Sequence, residues 1–255
     1  MTKINQILTQ WLPGDIHSLK WLGERGVAQN VAYEYFKNGS LEKHGPGIYS
    51  RKNEKLKWAG AIRLLQEELQ KEIHVSGRTA LELHGHAHYV PMGNKRIVYL
   101  STYSKEVLPK WFKEIDFDCE FRFTSSVLFP ENAELTEYKD ELGFRFYISS
   151  RELAILELLN VLDLANTFET AENYMNGLQT LRHDVMQDLL EKCTSVKVKR
   201  VFLYLAEKLS LAFFVKLDLN KIDLGIGKRQ VVSVNGQLDK KYQITVPRDE
   251  EENPF

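Results

Sequence analysis

The sequence predicts a mixed α+β fold: a small N-terminal helical domain, then a larger α/β domain with a small sheet and a helical bundle. Three observations indicate this. Short apolar helical patterns precede residue 38, strand-like stretches follow between residues 96 and 148, and apolar helical faces dominate residues 150 to 215. With 255 residues, of which 43% are hydrophobic and 27% charged, the chain can bury two cores.

Three short helices are predicted before residue 38. Apolar residues recur at helical spacing up to Trp11, and Pro13-Gly14 ends the first helix. Ser18 is the expected N-cap of a second helix of about nine residues, which ends before Gly26. A third helix is predicted from about Ala28 to Lys37 and is stopped by Asn38-Gly39.

The segment SLEKHGPGIYSRK predicts a short hairpin after these helices. Leu41 and Ile48-Tyr49 flank the turn residues 44–47, which contain two glycines and a proline. Three small helices followed by a hairpin is the element order of a winged helix-turn-helix, whose recognition helix enters the major groove of DNA. The alternative is a small helical bundle with a solvated polar face.

The third helix has an apolar and a polar face. Val31, Ala32 and Tyr35 are expected to pack inward. The amide side chains of Gln and Asn can bridge adenine, and Lys can contact guanine or a phosphate. The residues expected to face DNA on this helix are Gln29, Asn30, Tyr33, Glu34 and Lys37. Phosphate contacts are expected from the hairpin residues Lys43, His44, Arg51 and Lys52.

The rest of the chain is expected to alternate between strands and helices. Lys55 to Glu72 predicts an amphipathic helix that connects the two domains. Strands are predicted at residues 96–100, 120–124 and 144–148, and the region 150–215 is mostly helical, with breaks at Asn176-Gly177 and Cys193-Thr194. Two final strands, 230–234 and 242–246, are expected to flank the turn Asn235-Gly236.

The net charge of −1 hides an uneven distribution. Residues 1–52 carry seven Lys/Arg and four Asp/Glu, residues 114–141 carry two and nine, and residues 196–229 carry eight and three. The two basic regions are therefore separate candidates for acidic partners. Cys119 and Cys193 form no CxxC pair, and no stretch has the length of a signal peptide core or a membrane span. We expect a cytoplasmic protein without a membrane partner.

Further basic residues suggest a second surface. Lys197 and Arg200 lie three residues apart on a predicted helix, with Tyr204 four residues further on. We expect one basic surface, suited to an acidic protein surface or to DNA, formed by Lys197, Lys199, Arg200, Tyr204, Lys228 and Arg229. An ordinary solvated helix face is the alternative.

Other motifs do not support chemistry. His84, His86 and His88 could share one face of a strand and bind zinc, but Ala80 to Leu83 looks helical and Gly85 should end that helix, so the rings are expected to diverge. The GIGKR segment lacks the first glycine and the hydroxyl residue of a phosphate-binding loop. The sequence contains no evident pair of nucleophile and base, so we predict no catalytic residue, no cofactor and no metal.

Three stretches resemble the AbiEi family of antitoxins, partners of nucleotidyltransferase-type toxins in type IV toxin-antitoxin pairs. They are YEYFKNGSLEKHGPGIYSR, VSGRTALELHGHAHYVPMG with the following PKWF, and SVKVKRVFLYLAEK with the later GIGKRQVVSVNGQLDKKYQITVP. The resemblance implies an N-terminal domain that binds inverted repeats in its own promoter and a C-terminal domain that counters the toxin. Ser40 stands where relatives commonly carry Trp, so the packing beneath the wing is expected to differ from theirs.

These observations together predict four segments and a function. We expect a winged helix at residues 1–52, a connector with a family motif at 53–95, an antitoxin domain at 96–250 and a tail at 251–255. The expected protein is a non-enzymatic antitoxin that represses its own operon. The alternatives are a kinase-like antitoxin that modifies the toxin, and a plain regulator without a toxin partner.

Overall fold

The computed structural model describes residues 3–86, 95–125, 128–129, 134–162, 164–231 and 236–248. Helices and strands both contribute substantially, so the predicted α+β class is confirmed. The chain forms two compact units, each assembled from separate stretches of sequence. The first comprises Met1–Val75, Pro91–Ser125 and Thr136–Ile148, and the second comprises Ser76–Val90, Ser126–Leu135 and Ser149–Phe255. The four segments expected from the sequence stay a prediction.

The first unit begins with a winged helix. Its elements are α1 (Lys3–Thr9), β1 (Ile16–Ser18), α2 (Leu19–Glu24), α3 (Gln29–Lys37), β2 (Leu41–Gly45) and β3 (Ile48–Arg51). The three strands form an antiparallel sheet in the order β1-β3-β2. Ser18 caps α2 as expected, since its hydroxyl accepts a 3.2 Å hydrogen bond from the amide of Trp21. Strand β1 was not predicted, because three residues are too few to show a period.

The helices of the winged helix share one apolar core. Trp11, two residues after the end of α1, meets Leu22 of α2 and Ala32 of α3 there, and Tyr49 of β3 completes the cluster. Each of these side chains is at most 3% exposed. Burial of this kind stabilises by about 25 cal/mol for each Å² of apolar surface. The core therefore fixes the orientation of α3 relative to the hairpin.

The expected connector helix over residues 55–72 is wrong in extent and in exposure. Helix α4 (Trp58–Arg63) continues as a π-helix over Leu64–Glu68, and the backbone at Gln70 has a positive φ of 52°. All seven residues from 59 to 65 are buried. A methyl group on Gly60 would lie only 2.8 Å from Asp15 Oδ1, so the absence of a side chain there permits this close packing. The periodicity predicted a helix correctly, but it also predicted a solvated face, whereas the helix is buried on all sides over these residues.

A five-stranded sheet with the order β6-β5-β4-β8-β7 forms most of the remaining first unit. The strands are β4 (His74–Val75), β5 (Arg96–Thr102), β6 (Cys119–Ser125), β7 (Leu135–Lys139) and β8 (Arg145–Ser149), with α6 (Lys110–Glu114) between β5 and β6. The three predicted strands at residues 96–100, 120–124 and 144–148 are confirmed as β5, β6 and β8. Phe146 and Ile148 on β8 are buried while Arg145 and Tyr147 are exposed, as period-two alternation requires.

The described residues of the second unit contain five α-helices: α5 (Gly77–Leu83), α7 (Arg151–Val161), α8 (Leu164–Asn176), α9 (His183–Lys192) and α10 (Val196–Lys208). The predicted helical region and its breaks after α8 and α9 are confirmed. Helix α7 is central, because eight successive residues from Glu152 to Leu159 are buried. Its N-cap Ser150 accepts a hydrogen bond from the amide of Leu153 at 3.2 Å.

The last strands differ from the prediction. Strand β9 (Arg229–Gln230) runs parallel to β11 (Ile244–Pro247), and β10 (Gly236–Asp239) pairs antiparallel with β11. The hairpin turn therefore lies at residues 240–243, where Asp239 Oδ1 accepts a 2.7 Å bond from the amide of Tyr242 and Gln243 has a φ of 51°. Gly236 begins a strand instead of ending a turn, and Asn235 lies outside the described residues. The turn of this hairpin is therefore supported by the side chain of Asp239 and does not use the Asn-Gly pair.

Candidate nucleic-acid interface

Helix α3 presents a polar face to solvent. The five residues expected to face outward, Gln29, Asn30, Tyr33, Glu34 and Lys37, are all exposed. Ala32 is fully buried, and Val31 and Tyr35 pack against the core of the winged helix, so the orientation follows the helical period. The placement leaves amide, carboxylate and ammonium groups on one side of the helix. Their role in reading DNA stays a prediction.

Aromatic rings accompany this polar face. Tyr33 is 45% exposed and lies below Lys37, whose Nζ is 4.9 Å from the ring centroid. Phe36 is 37% exposed, with its ring centroid 6.0 Å from that of Tyr33. Sequence reasoning missed Phe36, because an apolar residue beside a buried stripe is normally assigned to the core. An exposed aromatic ring on a polar helix face can contact the methyl group of thymine.

The hairpin of β2 and β3 is the wing, and its expected contact residues have different environments. Lys43 and Lys52 are exposed. His44 is half-buried, with Nε2 2.7 Å from Ser50 Oγ. Burial lowers the pKa of its imidazole below the usual 6.5, although the charge of Glu42 acts in the opposite direction. His44 therefore supports the hairpin, and the exposed wing cations are the lysines.

Arg51 anchors the base of the wing. Its guanidinium donates to the main-chain oxygen of Trp11 at 3.0 Å and forms an ion pair with Glu54 at 3.0 Å. It thereby joins β3 to the segment that follows α1. Ser40, at the start of the wing, donates its amide to the carbonyl of Tyr35 at 2.9 Å and so continues from the end of α3. These contacts connect the wing to the segment after α1 and to the end of α3.

A buried polar network lies beneath the winged helix. Arg63 of α4 donates to Asp15 Oδ1 at 3.0 Å and to Glu68 Oε1 at 2.9 Å. His17 of β1 lies between the two carboxylates, 3.1 Å from Asp15 Oδ2 and 2.7 Å from Glu68 Oε1. Glu68 Oε2 also accepts the amide of Ser18 at 2.7 Å. The network therefore connects α4 to the strand that precedes α2.

The charge state of Glu68 follows from this network. Burial by itself raises the pKa of the carboxyl group, but the hydrogen bond and charge of His17, the amide of Ser18 and the charge of Arg63 lower it to about 2. The carboxylate therefore remains ionised at neutral pH and accepts all of these bonds. The sequence held no signal for the network, since its members lie up to 53 positions apart in the chain.

The expected basic surface in the second unit is wrong in part. Lys199 and Arg200 are 3% and 2% exposed, because they lie on the inner side of α10. Lys197 and Tyr204 are half-buried, and Lys228 and Arg229 are exposed. Arg200 donates to the carbonyls of Leu224 and Gly227 at 2.8 and 2.6 Å instead of facing a partner. Of the six residues, only the cations Lys228 and Arg229 are exposed.

The LHGHAHY segment ends a helix, as expected. His84 is the C-cap of α5, and Gly85 follows with a φ of 88°. His84 Nε2 lies 2.9 Å from the carbonyl of Ser149. His86 follows outside the helix, and His88 lies outside the described residues. Among the residues that the structure describes, no three His, Cys, Asp or Glu side chains are grouped to hold a metal ion.

Ser149 and Glu157 form a close pair in the second unit, with Ser149 Oγ donating to Glu157 Oε2 at 2.6 Å. Glu157 Oε2 also accepts the amide of Gly77 at 3.0 Å. Ser149 is fully buried and Glu157 is 5% exposed, so a substrate has no access to the hydroxyl group. The pair joins the first residue of α5 to α7 and does not have the exposure of a nucleophile.

Comparison with known proteins identifies the family. Residues 1–92 match the family model for the N-terminal domain of AbiEi antitoxin transcriptional regulators, and residues 95–247 match that for the transcriptional regulator, AbiEi antitoxin, of type IV toxin-antitoxin systems. A search of curated proteins found no significant match. No helix within the described ranges is long and apolar enough to cross a membrane.

A solved structure shares the fold. The crystal structure of the RV2827C protein from Mycobacterium tuberculosis aligns with a TM-score of 0.59 at 12% identity, over 91% of this chain and 86% of that chain. At this identity the likeness concerns the fold alone. The two family matches cover nearly the whole sequence and confirm the resemblance found in its motifs. The chain belongs to the AbiEi antitoxin family of transcriptional regulators from type IV toxin-antitoxin systems.

Proposed function

We propose that this protein represses its own operon by binding inverted repeats in the promoter through the winged helix, and that it neutralises a nucleotidyltransferase-type toxin through its C-terminal domain. Family membership supports the general role of antitoxin and regulator. The observation that carries the DNA-binding role is the exposed polar face of α3, beside a wing with two exposed lysines. We place this action in the cytoplasm, where the operon lies.

The side chains of α3 suit direct reading of bases. Gln29 and Asn30 project from the first turn of the helix, the part that reaches furthest into the groove in helix-turn-helix proteins. Both amides can bridge the N6 and N7 atoms of adenine. Glu34 can accept from the amino group of cytosine, and Lys37 can donate to guanine or a phosphate. Tyr33 is placed for either a base or a phosphate contact.

The wing contributes affinity more than specificity. Lys43 and Lys52 are exposed cations that can neutralise phosphates without reading sequence. Arg51 and His44 have partners within the protein, so we assign them a supporting role that keeps the lysines in place. This division separates the residues that determine specificity from those that determine overall affinity.

The proposal is tested by measuring the affinity of the full chain for its own upstream region and for variants with single base changes. Asn30→Ala should weaken binding to the native operator by about 1–3 kcal/mol and relax discrimination at one base position in each half-site. Asn173→Ala, an exposed residue of α8, is the matched control and should leave both quantities unchanged. Unaltered discrimination in Asn30→Ala would show that α3 is not the recognition helix.

We also propose that neutralisation proceeds without catalysis by the antitoxin. The inaccessible hydroxyl group of Ser149 supports this, as does the family's role as a regulator. Incubation of both purified proteins with ATP, followed by mass spectrometry of the toxin, should give an unmodified toxin. A toxin that gains phosphate would instead favour a kinase-like antitoxin. A genome without a nucleotidyltransferase-like reading frame beside this gene would favour a plain regulator.

A further inference from the structure

Two aromatic rings lie together on the outer side of helix α3. We call Tyr33 and Phe36 the aromatic pair. Their ring centroids are 6.0 Å apart and their ring planes are tilted by 41° to each other. Both side chains are exposed. A single exposed apolar residue carries little information, whereas two in contact on an otherwise polar helix face indicate a binding surface.

The neighbours of the aromatic pair restrict its rings. Lys37 lies one helical turn after Tyr33, and its ammonium group is 4.9 Å from the centre of the Tyr33 ring. Burial raises the pKa of Tyr49 on strand β3, and the phenol of Tyr33 raises it further, so Tyr33 lies on the side of α3 that is near the wing. Rings with such neighbours have few alternative positions, which lowers the entropic cost of binding.

The surroundings of the aromatic pair suit DNA better than a protein. Exposed polar side chains of α3 accompany it: Asn30, Glu34 and Lys37. Across the wing, Tyr49 pairs with the exposed Lys43. A stable protein interface buries about 800 Å² on each partner, and two partly exposed rings supply only a small part of that area. The same rings are large enough to cover one methyl group in a DNA groove.

The chemistry of Phe36 restricts what the aromatic pair can recognise. Its side chain has no hydrogen-bonding group, so a polar base edge placed against it would lose its bonds to water without replacement. Of the four bases, thymine alone presents an apolar group in the major groove, the methyl group on C5. A contact between the exposed ring and this methyl group removes apolar surface from water on both sides. Phe36 therefore suits thymine and no other unmodified base.

We infer that Phe36, supported by Tyr33, contacts the C5 methyl group of one thymine in each operator half-site and thereby determines specificity at that base pair. This inference rests on the proposed function, because it takes α3 as the helix that enters the major groove. It adds an apolar contact to the polar contacts of that helix. The recognised group is the methyl group itself, so 5-methylcytosine at the same position presents it as well.

The test removes the methyl group without changing the hydrogen bonds of the base pair. Each thymine of the operator is replaced in turn by deoxyuridine, and the affinity of the full-length protein is measured by fluorescence anisotropy. One such replacement in each half-site should weaken binding about fourfold, as expected for the loss of one buried methyl group. Phe36→Ala should weaken binding to the unmodified operator by about fourfold or more, and the same replacement should then have no further effect.

Two variants control this comparison. Val107→Ala shortens another exposed apolar side chain of the first unit and should retain both the full affinity and the fourfold response. Phe36→Leu keeps an apolar side chain and should retain part of the response. Phe36 is exposed, so its replacement leaves the core of the winged helix intact.

A second modified operator isolates the methyl group in another way. The thymine that responds is replaced by cytosine, and duplexes with cytosine and with 5-methylcytosine at this position are compared. Methylation should increase the affinity of the unsubstituted protein about fourfold and leave that of Phe36→Ala unchanged. An equal effect of methylation on both proteins would exclude Phe36 as the residue that contacts the methyl group.

Three further results would contradict the inference. In the first, Phe36→Ala responds to deoxyuridine as strongly as the unsubstituted protein. In the second, no thymine methyl group affects the affinity of the unsubstituted protein. In both cases preference for the operator persists and the proposed function stands. In the third, Phe36→Ala changes the oligomeric state without DNA while methyl sensitivity is unaltered, which would assign the aromatic pair to a contact between copies of this chain. Equal affinities for the operator and a scrambled duplex would instead reject the proposed function, and the inference with it.

Discussion

At the scale of single residues, Arg200 shows that a cation in a basic segment can bind main-chain carbonyl groups of its own chain instead of a partner. Its side chain is buried against the loop of residues 224–227, and its described partners are carbonyl oxygens. Burial lowers the pKa of its guanidinium relative to the usual value, and the charge of Arg229 acts in the same direction. The apolar face of VKVKRVFLYLAEKL predicts this helix correctly, but the pattern contains no information on which of its cations a later loop will cover.

Arg200→Met should lower the free energy of unfolding by about 3 kcal/mol, because several carbonyl groups would lose a charged donor. Urea denaturation followed by circular dichroism measures this. Lys197→Met on the same helix removes a half-buried cation and should change the free energy by less than about 0.5 kcal/mol. Equal midpoints for the two variants would mean that Arg200 does not fix the loop.

Glu68 makes stability depend on acid. Its pKa is lowered from 4.5 to about 2 in the folded protein, so the stabilisation is present above pH 4.5 and is lost as the pH falls towards 2. The shift corresponds to about 3 kcal/mol. Glu68→Gln should be less stable at neutral pH and should show a flatter stability profile between pH 4.5 and 2.

The control for this profile is Glu24→Gln, since Glu24 is exposed on α2 and its pairing with Arg25 is a 4.0 Å surface contact. Glu24→Gln should retain the acid dependence of the unsubstituted protein. If Glu68→Gln has the same dependence as well, the network of Asp15, His17, Arg63 and Glu68 does not account for acid sensitivity.

At the scale of elements, the predictions succeeded where one face is buried and one is solvated. Helix α3 and strand β8 each have one buried and one exposed face, and the helical period and the strand alternation predicted both correctly. Helix α4 was mispredicted because its small residues Gly60 and Ala61 allow contacts around the helix, so its exposure does not follow a period. The turn of the β10–β11 hairpin was predicted in the wrong place, because Asp239 stabilises a turn at residues 240–243 that has no recognisable turn motif in its sequence.

The wing provides a prediction about salt dependence. Lys43→Ala combined with Lys52→Ala should weaken binding to operator and scrambled DNA by similar factors and reduce the slope of log affinity against log salt by about two. Fluorescence anisotropy over a range of salt concentrations gives this slope. Loss of discrimination without a change of slope would contradict the assignment of these lysines to phosphates.

Arg51→Ala is an informative companion to the lysine variants. Arg51 contacts Trp11 and Glu54, so its loss should displace the wing. Both the free energy of unfolding and the affinity for the operator should therefore fall. A variant that retains full stability but reduces the salt slope by about one would show instead that Arg51 contacts a phosphate.

At the scale of the whole molecule, one chain combines a winged helix with a second, largely helical unit. The motifs of the sequence indicated the family, and the family matches confirm it. The exposed residues of α3 were predictable because a helix face follows from periodicity. The path of the loop at residues 224–227 was not predictable, because the carbonyls of this loop are bound by the buried side chain of Arg200, which lies more than twenty positions earlier in the chain.

The central claim is that the winged helix reads the operon's own promoter. Its most direct test is the ratio of affinities of the full-length protein for its upstream region and for a scrambled duplex of equal length at one salt concentration. Specific recognition predicts a ratio of about 1,000 or more, and Asn30→Ala should reduce that ratio. Equal affinities for the two duplexes would contradict the account.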